Sequence, residues 1–172
     1  MRLPRWTPPG ELSDDPAKLY WIDPGLLHAM LGWSDDIFEN KIAGLSAGQP
    51  TPERDKQILH NSWEGFVITS LVRCAGNSAR PAVWRSPTGE IDLILTWLGG
   101  EDVWAIEVTM GKRKDLASLW AGRNETHANR AFLVYQQSVG RPDLQGVDQY
   151  GPLHRLTLND ALAEVLAMAG QY

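Results

Sequence analysis

The sequence predicts a single α/β domain in which helices flank a mixed β-sheet. Two observations support this prediction. Apolar residues recur at helical spacing up to about residue 75, and beyond Asn77 they follow the two-residue alternation of strands. Further along, a helical segment separates the strands, which is typical of a sheet with helices packed on its faces. The length of 172 residues suits one such domain with its own core.

Residues 1–50 are predicted to form an extended segment and short helices that pack on a core made by residues 51–172. The first 17 residues are rich in proline, glycine and acidic side chains, which favours an extended conformation. Asp23 and Pro24 are typical of an N-cap and a first helical position, and the amphipathic stretch 34–45 predicts another short helix. Both parts are expected to form one compact domain.

The longest predicted helix begins at Thr51 and Pro52 and ends at Gly76. Glu64 lies at the edge of its apolar sector, where a carboxylate needs a partner because burying an unpaired charge is costly. The apolar residues at helical spacing are Leu59, Trp63, Phe66, Val67 and Leu71. This helix therefore presents one acidic side chain close to the core.

The alternating segments that follow predict a sheet with one interposed helix. Gly99 and Gly100 indicate a hairpin between the second and third strands, and Asn159 is expected to cap the closing helix. The predicted elements are strands at 81–86, 90–97 and 103–110, a helix at 113–124, strands at 131–136 and 153–158, and a helix at 159–169.

Asp92 and Glu107 are acidic residues within strands whose other positions are mostly apolar. Strict alternation assigns Ile91, Leu93 and Leu95 to one face of the sheet, and Glu90, Asp92, Ile94 and Thr96 to the other. If the hairpin pairs the two strands, Asp92 and Glu107 are expected to converge, with Glu64 at the edge of the same cleft. Such carboxylates suit a hard cation, Mg²⁺ or Mn²⁺, that would polarise a phosphoryl oxygen and activate a water.

A second interpretation of these acids is purely structural. The carboxylates would then lie at strand ends and form ion pairs with Arg85, Lys112 or Arg113. The residues alone leave both interpretations open.

Composition excludes several classes of protein. Cys74 is the only cysteine, so neither an internal disulfide nor a cysteine-based zinc site is possible. No apolar run approaches the roughly 18 residues of a membrane span, and the N-terminus does not resemble a secretory signal, so a cytoplasmic location without membrane contact is expected. The net charge of -5 is not typical of a protein that coats nucleic acid, although the stretch 112–130 is locally basic.

Segments spread over most of the chain carry a family resemblance: LPRW, KLYWIDPGLLHAMLG, NSWEGFVITSLVR, WRSPTGEIDLIL, AIEVTMGKRK, RAFLVYQ and HRLTLNDAL. In this order they resemble the C-terminal nuclease-like domain, of unknown function, that follows the ATPase module in bacterial and archaeal AAA-type ATP-binding proteins. The resemblance implies a PD-(D/E)XK, restriction-endonuclease-like core. The phosphate-binding loop of an ATPase does not occur in this sequence, so ATP hydrolysis by that route is not expected.

The resemblance also implies roles for individual residues. Asp92 and Glu107 match the metal-ligand positions and Glu64 matches the helix acid. The lysine that normally follows two residues after the second acid is replaced by Thr109, and a neutral hydroxyl cannot supply its positive charge. Lys112 or Lys114 could substitute through their flexible side chains.

The expected function is therefore that of a nuclease-like domain with little or no catalytic power, acting as a nucleic-acid-binding or regulatory module. One alternative is an active Mg²⁺-dependent deoxyribonuclease that hydrolyses phosphodiester bonds. Another is a structural protein-interaction domain. The expected partners are DNA, an ATPase domain or another protein, and no small-molecule cofactor is expected.

Overall fold

The structure is a computed structural model that describes residues 1–8, 17–20, 23–47, 50–87, 89–99, 101–110, 116–136 and 152–172. In chain order the elements are β1 (Arg2–Leu3), β2 (Lys18–Leu19), α1 (Pro24–Met30), α2 (Asp35–Ser46), α3 (Glu53–Ala75), β3 (Ala79–Ser86), β4 (Gly89–Trp97), β5 (Val103–Thr109), α4 (Ala117–Thr126), β6 (Arg130–Tyr135), β7 (His154–Thr157) and α5 (Leu158–Ala169).

The main sheet has five strands in the order β3-β4-β5-β6-β7. The pairs β3–β4 and β4–β5 are antiparallel, as short connections between consecutive strands allow. The pairs β5–β6 and β6–β7 are parallel. A parallel pair needs a crossover, and α4 supplies it between β5 and β6. The predicted α/β class, with a mixed sheet between helices, is therefore confirmed.

Two apolar cores lie on the two faces of this sheet. On one face α3 and α5 pack through side chains such as Val67 and Val165 against Leu93 of β4. On the other face α4 packs through Leu119 against Ile94. Along the described parts of the chain, no helix combines the length and apolar character that crossing a bilayer requires.

The N-terminal residues contact the rest of the domain at two places, the core beneath α3 and the edge strand β3. β1 and β2 pair antiparallel in a sheet of their own, and Leu3 of β1 is buried in the core beneath α3. Residues 4–6 then run parallel to the edge strand β3. The Val83 N–H donates to Pro4 O at 2.9 Å, and the Trp6 N–H donates to Val83 O at 2.7 Å. These bonds cover part of an edge that would otherwise expose unpaired backbone groups.

Alternation along β4 differs from the prediction. Ile91 packs with Ile94 in the core beneath α4, whereas Leu93 packs in the core beneath α3. The reason is a β-bulge, because Ala82 pairs with Ile94 while Trp84 pairs with Ile91, so β4 has one residue more than β3 over this interval. Strict alternation, with Ile91 and Leu93 on one face, was therefore wrong here.

The start of the last helix also differs from the prediction. α5 begins at Leu158, and its N-cap is Thr157 rather than Asn159. The Asp160 N–H donates to Thr157 Oγ1 at 3.3 Å, while the Asp160 side chain accepts from the Thr157 N–H. This reciprocal capping box satisfies two backbone donors, which explains why Thr157 is preferred over Asn159 as the cap.

Candidate functional site

Three carboxylates from two elements meet at one side of the sheet. Glu64 lies in the middle of α3, and Glu90 and Asp92 lie at the start of β4. One oxygen from each lies within 4.8 Å of the other two. Glu64 is 6% exposed and Asp92 is 7% exposed, so two of the three charges are almost out of contact with water. Such a group needs a cation close by.

Lys18 of β2 supplies that cation. Its Nζ donates to Glu64 Oε1 at 2.6 Å and to Glu90, and it lies 3.6 Å from Asp92 Oδ1. The side chain of Lys18 is 20% exposed. The ammonium group therefore lies among all three carboxylates, where the attraction between opposite charges is stronger than at an exposed surface.

Further donors orient the two buried acids. Tyr20 donates its hydroxyl hydrogen to Glu64 Oε1 at 2.7 Å. The Val108 N–H of β5 donates to Asp92 Oδ2 at 2.9 Å. The pairing of β4 with β5 runs from Thr96 and Val103 to Leu93 and Ile106. Asp92 immediately precedes Leu93, so its carboxylate accepts the N–H of a β5 residue that lies just beyond the paired positions. These bonds leave Asp92 Oδ1 directed towards Lys18.

The electrostatics of the site favour the charged forms of Lys18 and Glu90 and the neutral form of Tyr20. Burial by itself would lower the pKa of Lys18, but the charges of Asp92 and Glu64 and the hydrogen bonds to the acids raise this pKa above 10.5. Burial opposes the ionisation of Glu90 too, yet Lys18 and Arg85 hold the pKa of this carboxyl below 4.5. Burial, followed by the charges of Glu64 and Asp92, raises the pKa of the Tyr20 hydroxyl, which keeps it a hydrogen-bond donor.

An open cavity of about 600 Å³ lies beside these charges. The carboxylates outnumber Lys18, and the Glu90 side chain also forms an ion pair with Arg85. An excess of negative charge disfavours the approach of a phosphate group unless a cation accompanies it. The remaining lining residues are Leu19, Tyr20, Gln57, Ile58, His60, Asn61, Ser62 and Gly65.

Glu107 is not one of the three gathered acids. It is 4% exposed and lies between Ile106 and Val108, which both pack beneath α3. Ala105, two residues earlier, packs beneath α4. Because successive side chains on a strand point to opposite faces, Glu107 is assigned to the α4 side. Of the three acids selected from the sequence, Glu64 and Asp92 belong to the described carboxylate group, and Glu107 does not.

The positions expected to supply positive charge are divided between described and undescribed parts of the chain. Thr109, which replaces the expected lysine, is buried, and its carbonyl accepts from the Trp63 Nε1–H at 3.1 Å. Arg85 contacts Glu90 rather than one of the predicted site acids. Lys112, Arg113 and Lys114 lie outside the described residues.

Sequence reasoning missed Lys18 and Glu90 as members of the site. The signal that a cation must exist was present, because acids in apolar segments require a partner. The sequence did not indicate which residue supplies this cation, because Lys18 and Glu64 are 46 residues apart in the chain. Glu90 precedes the apolar part of β4 and did not stand out as a buried acid.

The carboxylates of Glu64, Glu90 and Asp92 are the described residues that fit a divalent cation. Oxygens that ligate one Mg²⁺ at about 2.1 Å lie up to about 4.2 Å apart, which is compatible with the observed limit of 4.8 Å. Hard carboxylate oxygens are also the donors that Mg²⁺ and Mn²⁺ prefer. A bound ion would supply charge neutralisation and a polarised water, but Lys18 Nζ lies among the same oxygens.

A hydrogen bond at the edge of the cavity joins α1 to α3. Ser62 Oγ lies 2.7 Å from His28 Nε2, and the His28 ring stacks on Trp33. Burial lowers the pKa of His28. This contact fixes the short N-terminal helix on the side of α3 that faces the cavity.

Comparison with known proteins finds one family. The model of a family described as "Domain of unknown function (DUF4143)" matches residues 60–156, more than half of the chain. The matched interval contains Glu64, Glu90, Asp92 and Glu107 but not Lys18. No curated protein and no solved structure matches the chain.

Proposed function

The chain belongs to the DUF4143 family, and we propose that it is a nuclease-like module, on a PD-(D/E)XK framework, that has little or no catalytic power and acts through binding or regulation. The single observation that carries this proposal is the ammonium group of Lys18 among Glu64, Glu90 and Asp92. A nuclease of this kind needs a metal ion at its carboxylates, and here a positively charged side chain of the protein itself lies among them.

Two further observations support weak or absent catalysis. Glu107, which matches a metal-ligand position, is not a member of the described carboxylate group of Glu64, Glu90 and Asp92. Thr109 is a buried neutral residue at the position where the resemblance implies a lysine. A hydroxyl can accept or donate a hydrogen bond but cannot offset the charge that develops on a phosphoryl group in the transition state.

The nuclease-like framework itself is supported by the order of elements. The long helix α3 carries its acid next to an antiparallel hairpin, and a crossover helix then leads to parallel strands. This is a mixed sheet between helices, as the resemblance implies. The match to a domain family over residues 60–156 covers most of α3 and nearly all of the strands and the crossover helix that follow it.

We propose that the module acts mainly through a protein partner, such as an ATPase domain, rather than by holding DNA in the carboxylate cavity. The net charge of -5 and the excess of carboxylates in the cavity both oppose contact with a phosphate backbone. A neutral or basic protein surface is not subject to this repulsion. If DNA is bound, it is bound at another surface, and its affinity then falls with rising salt concentration.

The test is incubation of the purified chain with supercoiled plasmid and with single-stranded DNA in the presence of Mg²⁺ or Mn²⁺, followed by gel electrophoresis. We expect no cleavage above the level of an Asp92→Ala variant purified in the same way. Cleavage by the wild type that disappears in Asp92→Ala would overturn the proposal.

A second candidate function, an active Mg²⁺-dependent deoxyribonuclease, is favoured by the close approach of the three carboxylate oxygens. It requires that Lys18 leave the carboxylates and that another cation, such as Lys112 or Lys114, act at the reacting phosphate. The same assay separates the two candidates. Cleavage that survives in Lys18→Gln but is lost when Lys112 and Lys114 are both replaced by alanine would establish the second.

A further inference from the structure

We propose that Lys18 is a built-in competitor of divalent cations: its ammonium group occupies the place at Glu64, Glu90 and Asp92 in which an ion would bind, and thereby keeps the carboxylates closed to metal. This inference does not depend on whether the protein cuts nucleic acid. It concerns only what the three acids bind, and Lys18 lies outside the interval matched by the family.

The contacts of Lys18 are those of a bound cation. Its Nζ reaches oxygens of two core elements, α3 and β4, at hydrogen-bonding or ion-pair distance. The same oxygens form the described group that suits a metal ion. An ammonium and a divalent cation cannot share them, because two positive charges a few ångströms apart repel strongly in a half-buried site.

The segment that carries Lys18 is attached separately from the main sheet. β2 has two residues and pairs with β1, and the Tyr20 N–H donates to Met1 O at 2.8 Å. Leu19 is 75% exposed, so the segment is held by Tyr20, by backbone bonds to β1 and by the charge of Lys18. Loss of the ion pairs would therefore remove a large part of what keeps Lys18 in the cavity.

The cavity leaves room for an incoming ion. With a volume of about 600 Å³ and an opening to solvent beside Gln57, His60 and Asn61, it admits a hydrated cation to the carboxylates. Polar side chains at this opening can hydrogen-bond the waters that Mg²⁺ or Mn²⁺ retains. The obstacle to an incoming ion is therefore the ammonium group of Lys18, by its charge and by the place that it occupies.

The experiment measures Mn²⁺ binding to the full chain at neutral pH by loss of the electron paramagnetic resonance signal of free Mn²⁺, with isothermal titration calorimetry as a second readout. We expect Lys18→Gln to bind one Mn²⁺ per chain at least about tenfold more tightly than the wild type, a difference that corresponds to about 1.4 kcal/mol. The glutamine amide can still hydrogen-bond the acids but carries no charge.

Three control variants define the result. Lys18→Arg keeps the positive charge and should bind Mn²⁺ as weakly as the wild type. Lys41→Gln removes another partly buried lysine, which pairs with Asp55 away from the cavity, and should also leave binding unchanged. In Lys18→Gln with Asp92→Asn, the tight binding should be lost.

The proposal is overturned if the wild type binds Mn²⁺ as tightly as Lys18→Gln, if Lys18→Gln binds no Mn²⁺, or if the tight binding persists without the Asp92 carboxylate. Should Lys18→Gln fail to fold, the double variant Lys18→Gln, Glu90→Gln restores the charge balance and keeps Glu64 and Asp92 as ligands. The same outcomes then apply to that variant. Because no DNA is present, the result is independent of the cleavage assay.

Discussion

At the scale of single residues, Lys18 determines the state of the site. Glu64 and Asp92 are almost fully buried, and each is held by a neutral donor as well, from Tyr20 and from the Val108 backbone. The ammonium group adds an opposite charge that neutral donors do not supply, and removing one partner of a buried ion pair is strongly destabilising. In this structure Glu64 and Asp92 therefore have a structural role, because they hold Lys18 and the N-terminal segment against α3 and β4.

Replacing Lys18 with methionine should lower the free energy of unfolding by about 3 kcal/mol, because it leaves buried carboxylates without their cation. Urea unfolding followed by tryptophan fluorescence measures the change. Lys41→Met is the matched control: the side chain of its partner Asp55 is 19% exposed, against 8% for Glu64, so the loss should be smaller, about 1 kcal/mol or less. Equal losses in the two variants would contradict the central role of Lys18.

At the scale of secondary-structure elements, local irregularities decide where side chains lie. The bulge opposite β3 shifts alternation along β4, so that Ile91 and Ile94 share a core and Asp92 lies near α3. A strand without this bulge would carry Asp92 on the α4 side, remote from Glu64. The meeting of these two acids is thus a property of β4 pairing with β3.

The capping box at the start of α5 provides a test at this scale. Thr157→Ala should lower the free energy of unfolding by about 1 kcal/mol, because the Asp160 N–H loses its acceptor. Thr157→Ser keeps the hydroxyl and should stay close to the wild type. Chemical denaturation of both variants measures the difference. An Asn159→Ala variant that is as unstable as Thr157→Ala would indicate that Asn159 is the cap after all.

At the scale of the whole molecule, the ion pairs of Lys18 join three regions of the chain: the N-terminal segment, α3 and the start of β4. Apolar packing holds α3 and α5 on one sheet face and α4 on the other. The N-terminal segment is joined to this body at Leu3, at the edge of β3 and at Lys18. The free energy of unfolding should therefore depend on pH through Lys18 and the carboxylates that it contacts.

The pKa of Glu90 lies below its ordinary 4.5 in the folded protein, so its contribution to stability is complete above pH 4.5 and is lost as the pH falls through the folded value. The pKa of Lys18 lies above 10.5, so its contribution is complete below pH 10.5 and is lost as the pH rises through the folded value. Both contributions are present together between these limits.

Urea unfolding of the wild type and Glu90→Gln at a series of pH values tests this linkage. The wild type should be more stable than Glu90→Gln at neutral pH, and the difference should shrink as the pH falls below 4.5. Glu125→Gln, at an exposed position on α4, should show no such convergence. A gap between wild type and Glu90→Gln that is constant from neutral to acid pH would contradict the assigned role of Glu90.

The order and type of most elements were predictable because helical and strand periodicities are local properties of the sequence. The long helix with Glu64, the hairpin with Asp92 and the closing helix all appear where the pattern indicated, within a few residues. The need for a partner at Glu64 was also predictable from its place beside apolar residues. Local patterns of this kind do not depend on how the elements pack.

Only the tertiary structure decided which charges meet. Lys18 contacts Glu64, which is 46 residues away in the chain, and a β-bulge brings Asp92 to the same side of the sheet. Glu107 lies between two residues that pack beneath α3, so alternation assigns its side chain to the opposite face. A shift of one residue in strand pairing moves a side chain to the opposite face of a sheet. The sequence by itself therefore determined the α/β elements and the presence of buried acids, whereas strand register and long-range packing determined that a lysine lies among them.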